Sequence, residues 1–244
     1  MDKNDSGIKF CVSLDGSKFS EYGLDLISLE LFNKETDLLN VVHVKHLNQK
    51  NLPFNLQHEN INSYATSKLV GKFMKDKYYV IMQEPDKNYT HPLHQIHDYC
   101  LKSNADYLVV GFHGTTEKKN KNDLTSGIMF VIKQIHIPCI IVKEFVPREK
   151  KKNKCYTWLA CIDTHLSRGW KALLKSFPLM NQNDQLICLH LTTNDNDKKL
   201  VETEFSKLCV EYNIKKYKMN MTPFNSKASI AQQIIDQVNY CEET

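Results

Sequence analysis

Short, nearly continuous apolar runs alternate, over the first 146 residues, with stretches whose apolar positions recur every three or four residues. The runs fall at Ile8–Leu14, Asp37–Val44, Lys77–Gln83, Asp106–Gly111 and Ile137–Lys143. A run apolar at successive positions suits a strand covered on both faces, as in a parallel sheet. Between the runs, Ser20 is placed to cap a helix burying Leu24, Ile27 and Leu31; Leu93, Ile96 and Cys100 mark one face of another helix, and Met129, Ile132 and Ile135 a third. Strands alternating with helices predict βαβ units and a doubly wound α/β fold. Leu47–Asn62, polar and holding Pro53, reads as a loop running into a weaker helix.

The opening pattern returns later. "CVSLDGSKFSEYGLDLI" has an echo in "LACIDTHLSRGWKALLK": an apolar strand ending in Asp15 or Asp163, then Ser20 or Ser167, then an amphipathic stretch. "LLNVVHV" has its echo in "LICLHL", which places His43 and His190 at a spacing of 147, against 148 for the aspartates. This reads as an internal duplication. Val201, Phe205, Leu208 and Tyr212 form a helical stripe, "KKYKMNM" a third strand, and Ile230, Ile234, Val238 and Cys241 a further helix. "NYCEET" corresponds to "DYCLKS" at 98–103, so the second copy is expected to lack the last two strands and the loop that follows them in the first. The predicted organisation is residues 1–146, a linker 147–154, and a partial second copy 155–244.

Composition changes little in this picture. The 244 residues are 41% apolar and 25% charged, a globular balance. There is no apolar run of membrane-spanning length and no signal-peptide pattern at "MDKNDSGIKF", which points to a cytoplasmic protein with no membrane partner. The eight cysteines form no CxxC pair and read as buried, reduced thiols. The net charge of +4 equals that of "KEFVPREKKKNK" alone, with six basic and two acidic residues. The rest balances to zero, against a broad nucleic-acid face, and "REKKKNK" with Pro147 reads as a solvated linker.

The candidate chemistry lies in "VVGFHGTTEKKNKNDLTSGIMFV", Val109 to Val131, with three of the chain's eight glycines. Gly111 and Gly114 follow a buried strand, where ligands of open parallel sheets bind. Gly127 opens a helix, whose N–H groups favour phosphate. No Walker loop and no GxGxxG occurs, and the residues alone leave two readings open, a phosphate cradle or plain turns. Asp15 ends the first strand at the same edge. His91, His94 and His97, at successive i, i+3 steps, read as surface histidines near a helix start rather than zinc ligands. His43 and His190, in apolar strands, read as satisfied buried histidines.

"VSLDGSKFSEYGLDL", "VVHV" and "NADYLVVGFHG…SGIMFVIKQIHIPCIIVK" together resemble the universal stress protein family in its tandem form. The resemblance covers nearly all of the first copy and about two thirds of a domain in the second. It implies a five-stranded parallel sheet of order 3-2-1-4-5 flanked by helices, and an ATP site with the pattern G-x2-G-x9-G-[ST]. Adenine and ribose would lie near Ser13, Leu14, Asp15 and Val44; phosphates, carrying Mg or Mn, near Val110, Gly111, His113, Gly114, Gly127, Ile128 and Met129. Here twelve residues, not nine, separate Gly114 from Gly127, and Ile128 stands where the pattern has a hydroxyl. Thr125 and Ser126 are the neighbouring hydroxyls. The implied role is a nucleotide-binding stress-response regulator without strong catalytic activity, self-associating into a dimer through the edge strand 137–143. The alternatives are a nucleotide-independent interaction module and a slow nucleotide hydrolase.

Overall fold

The computed structural model of the chain describes residues 7–46, 52–89, 91–114, 126–151, 153–162, 169–223, 225, 227–230, 232–234 and 236. It divides into two compact units, Met1–Pro147 and Arg148–Thr244.

The first unit is a five-stranded parallel sheet of order β3-β2-β1-β4-β5. The strands are β1 (Lys9–Ser13), β2 (Leu38–Val44), β3 (Tyr78–Gln83), β4 (Tyr107–Gly111) and β5 (Cys139–Val142), each within two residues of an apolar run in the sequence. Four α-helices connect them: α1 (Lys18–Leu26), continued by a π-helical turn Ile27–Leu31, α2 (His58–Leu69), α3 (Pro92–Ser103) and α4 (Ser126–Gln134). The three central strands are apolar on both faces because helices cover both. On one face Cys11, Val42, Leu108 and Val110 pack with Ile96 and Cys100 of α3 and Ile128 and Val131 of α4. Val12, between Val41 and Val109 in register, is fully buried as well. The chain builds β2 and β3 on one side of β1 and then crosses to β4 and β5 on the other. The reversal of strand order therefore lies beside β1, where side chains at the carboxyl ends of β1 and β4 converge.

Ser17, not Ser20, caps α1. Its Oγ accepts from Ser20 N at 3.2 Å, while Ser20 is buried in the first turn with its own hydroxyl donating to Ser17 O. At the opposite end of the sheet Asp37 ties β2 to β1: Oδ1 accepts from Ile8 N and Oδ2 from Asn33 N, both at 2.8 Å.

The second unit holds a three-stranded parallel sheet of order β6-β7-β8, with β6 (Thr157–Cys161), β7 (Gln185–Leu191) and β8 (Tyr217–Thr222). Helices α5 (Gly169–Ser176) and α6 (Asp195–Glu211) bury Trp170, Leu173, Val201, Phe205 and Cys209 against Leu186 and Cys188. Of the expected stripe on α6, Val201 and Phe205 are core residues, whereas Leu208 and Tyr212 are only partly covered. Asp163, Ser167, Val238 and Cys241 lie outside the described residues.

The basic segment is not wholly a solvated linker. Arg148 is buried and gives Nε and Nη2 to the two carboxylate oxygens of Asp184, at 3.0 and 2.6 Å. Its guanidinium lies 4.1 Å from the ring centroid of Tyr156. Asp184 also accepts from Tyr156 N, Asn181 N and Trp158 Nε1. Burial pushes its pKa up, but these bonds, Arg148 foremost, outweigh burial and hold it below the ordinary carboxylate value. Among the described residues no helix is long and apolar enough to cross a membrane.

Candidate functional site

The carboxyl ends of β1, β2 and β4 place Ser13, Leu14, Asp15, Val44, Val110 and Gly111 along one edge of the sheet. Leu14 is fixed there through its backbone: its N–H donates to Val42 O, and its carbonyl accepts from His43 Nδ1 at 2.8 Å. A carbonyl only accepts, so Nδ1 carries the proton. His43 Nε2 is buried without a hydrogen-bond partner among the described residues, so there the histidine is satisfied at one nitrogen only. Burial pushes the ring's pKa below its ordinary value, against smaller opposing effects of the Leu14 carbonyl and Asp15.

Asp15 begins a tight turn. Its N–H donates to Ser20 Oγ at 3.2 Å, and its Oδ1 accepts from Ser17 N at 3.0 Å. Gly16 follows with φ +79, and a Cβ on it would stand 2.4 Å from Asn55 O. Only glycine tolerates both the left-handed backbone and that approach. Asn55 Nδ2 donates to Gly16 O at 3.1 Å, laying the segment before α2 over the turn.

The loop after β4 meets this turn. Ser17 Oγ donates to His113 O at 3.3 Å, and the buried His113 ring is edge-on to Phe19 and Phe112, at 5.1 and 4.7 Å between centroids. Gly114 is exposed, and among the described residues a Cβ built on it would meet one atom within 4 Å, Asp15 Oδ2 at 3.4 Å. That oxygen accepts no hydrogen bond among the described residues. Asp15 and Gly114, 99 positions apart in the sequence, thus share one exposed edge.

Other expected site residues have different work. A Cβ on Gly111 would stand 2.6 Å from Ser20 N and 2.7 Å from Phe19 C, so its missing side chain makes room for the first turn of α1, not for a ligand. A Cβ on Gly127 would meet Leu93 Cδ1 at 3.3 Å and His91 Cε1 at 3.4 Å, so this glycine seats α4 against the start of α3. Ile128, where the resemblance has a hydroxyl residue, is 2% exposed and belongs to the core beneath α4, as Val110 does. Val44 packs partly against the same core, and Met129 is half-buried on α4. Ser126 begins α4; Thr125 lies outside the described residues.

The three histidines at the start of α3 are partly buried rather than fully exposed. His91 is the N-cap, with Nδ1 accepting from Leu93 N at 3.1 Å, and His94 stacks on Phe130 of α4 at 3.9 Å. His97 is half-buried, and burial lowers its pKa. Pro92 at the first helical position was the available signal for the cap. Ser17 and Asn55, which hold the Asp15 turn, carry no comparable mark beyond the Asp-Gly pair they serve.

No protein-family model and no curated protein matches the chain. Solved structures do. A universal stress protein of Archaeoglobus fulgidus DSM 4304 is 14% identical, with 96% of this chain and 83% of that one covered at a TM-score of 0.60. A Pseudomonas aeruginosa UCBPP-PA14 protein assigned to the same group is 12% identical, with 95% and 80% covered at 0.56. The fold is that of the universal stress proteins, and the strand order 3-2-1-4-5 inferred by resemblance is the order observed.

Proposed function

We propose that the chain is a regulatory protein of the universal stress type whose first unit binds an adenine nucleotide, ATP or a relative, and whose second unit repeats about the opening two thirds of the first. The observation that carries this reading is the pairing of Asp15 Oδ2 with the exposed backbone of Gly114 at the switch point of a parallel sheet. Asp15 is the acceptor for hydroxyl or amino donors of the ligand, while the backbone around Gly114 and the start of α4 at Ser126 face its phosphates. A nucleotide bound here would carry a divalent ion, Mg or Mn, on its phosphates, which would lessen their repulsion with the nearby Asp15 carboxylate. Binding, rather than turnover, is the role assigned to these groups.

Two further likenesses between the units support the repeat. Asp184 accepts from Tyr156 N as Asp37 accepts from Ile8 N, at 2.8 Å in both. His190 Nδ1 lies 3.0 Å from Ile162 O, as His43 lies 2.8 Å from Leu14 O. A second reading, an interaction module without nucleotide, is favoured by Gly127 and Ile128, both used in packing rather than turned to a ligand. Mass spectrometry of small molecules released from the purified protein separates the two: a stoichiometric adenine nucleotide supports binding, and an empty protein that ATP fails to titrate supports the module.

A further inference from the structure

β6 is the counterpart of β1, and at its outer edge the two units differ. Tyr156 and Ile162 bond to their neighbours as Ile8 and Leu14 do, so Thr157, Leu159 and Cys161 correspond to Lys9, Cys11 and Ser13. Tyr156 O accepts from Gln185 N, and Ile162 N donates to Leu189 O. By the two-residue alternation of a strand, the backbone groups of Thr157, Leu159 and Cys161 therefore face away from β7. In the first unit β4 fills that side, with Phe10, Cys11 and Val12 in parallel register with Tyr107, Leu108 and Val109. In the second, β6 ends the sheet, and among the described residues no strand pairs with its outer edge. Exposure follows the pairing. Phe10, Cys11 and Val12 are fully buried, whereas Trp158, Leu159 and Ala160 are half-buried and Cys161 is exposed. An uncharged, apolar edge with open N–H and C=O groups is a template for a further strand.

Charge and the first unit together define the occupant. Asp106, the residue before β4, locks that strand to β1: its Oδ2 accepts from Lys9 N at 2.9 Å and its N–H donates to Lys9 O at 2.8 Å. Thr157 stands at the position of Lys9, and the chain leading into it is basic. Lys150, Lys151 and Lys154 are exposed there beside one carboxylate, Glu149, and Lys151 Nζ lies 5.3 Å from the ring centroid of Tyr156. A strand laid parallel to β6 brings its first residues toward these lysines, which favours an acidic lead. We infer that the free edge of β6 binds an extended apolar segment of a partner polypeptide, parallel to β6 and led by Asp or Glu, through β-strand addition. This edge is separate from the nucleotide site assigned to the first unit.

The test adds a peptide of residues 103–112, "SNADYLVVGF", to the full ¹⁵N-labelled chain. Saturable binding is expected, with hydrogen exchange slowed at the Thr157, Leu159 and Cys161 amides. Leu108 and Phe112 give their N–H groups to the β5 side, so those of Val109 and Gly111 face β1. A peptide N-methylated at these two positions binds at least about tenfold weaker. One with Asn in place of Asp106 binds about two- to fivefold weaker at low salt, as expected of an exposed ion pair. Leu159→Pro removes an outward N–H from an edge strand, where proline is tolerated, and weakens the unmodified peptide as N-methylation does. Equal affinity of the N-methylated peptide, no slowing at the three amides, or unchanged affinity in a folded Leu159→Pro protein overturns the inference. Equal affinity of the Asn peptide overturns the acidic lead. Protection of the three amides that rises with protein concentration alone assigns the edge to a second copy of this chain and overturns the partner. If Leu159→Pro does not fold, the comparison of peptides on the unaltered chain decides.

Discussion

Asp15 and Gly114 face each other across the carboxyl edge of the sheet, with Asp15 Oδ2 3.4 Å from the point a Cβ on Gly114 would occupy. Gly111, three residues earlier, faces the backbone of α1 at 2.6 Å from Ser20 N instead. Two glycines of one loop therefore answer to different tests. Gly111→Ala forces α1 off the sheet and lowers stability by about 1–3 kcal/mol, the range for overpacking. Gly114→Ala leaves the urea midpoint unchanged. Equal losses at the two positions would contradict the separation.

Ile128→Ser restores the hydroxyl that the resemblance places after the last glycine, yet the side chain points into the core. The replacement lowers stability by at least about 2 kcal/mol, the low end for truncating a buried isoleucine, and does not tighten nucleotide binding. Tighter binding at unchanged stability would place Ile128 at the ligand instead.

Arg148→Ala leaves Asp184 buried with three neutral donors and no cation. Removing one partner of a buried pair costs about 3–5 kcal/mol, and the three remaining bonds bring the expected loss toward the lower figure. Arg148→Lys recovers part of it only, since the bidentate geometry and the stacking on Tyr156 are lost. Because the folded pKa of Asp184 is depressed, its contribution is present above the unfolded value of about 3.9 and lost as pH falls through the folded one. The alanine variant therefore shows a weaker dependence on acid in that range, measurable by denaturant titration of the second unit's tryptophan fluorescence.

His43 acts in a higher pH window. Its folded pKa is depressed, so the unfolded chain binds a proton more readily, and stability falls as pH drops below the unfolded value of about 6.5. His97 adds in the same direction. His43→Gln, which keeps an N–H donor for the Leu14 carbonyl without titrating, makes the melting temperature less sensitive to pH between about 7 and 5. An unchanged slope would show that His43 is not a source of it.

The expected self-association would run through β5, an edge strand in the observed order. Pro138 O and Val142 O accept from Leu108 N and Phe112 N, so by the two-residue alternation of a strand the backbone groups of Cys139 and Ile141 face away from β4. The Ile141 side chain packs against the core, so replacing it with lysine would test the fold rather than the edge. Amide exchange is the cleaner probe. Edge pairing predicts that the Cys139 and Ile141 amides become protected as protein concentration rises, alongside a dimer mass in light scattering.

The strands were legible because a doubly covered strand has to be apolar at successive positions, and each run in the first unit became a strand. The role of each glycine was not. The sequence leaves Gly111, Gly114 and Gly127 open between turns and a close approach, and only the fold shows that a helix backbone, a carboxylate and the Leu93 and His91 side chains stand beside them. Arg148 looked like part of a solvated charge run because its partner, Asp184, lies 36 residues away. Ser20 looked like the cap because Ser17 and Ser20 both precede the apolar stripe, and the helix starts one turn earlier than that stripe requires.

The most direct measurement of the central claim is calorimetric titration of ATP with magnesium into the full chain and into Gly114→Val, after stripping any bound nucleotide, with thermal melts of both. The account predicts saturable binding near one nucleotide per chain, and affinity in the variant weaker by at least about a hundredfold, some 2.8 kcal/mol, at an unchanged melting temperature. Equal affinity in a folded variant, or no binding by the unaltered chain, would contradict it.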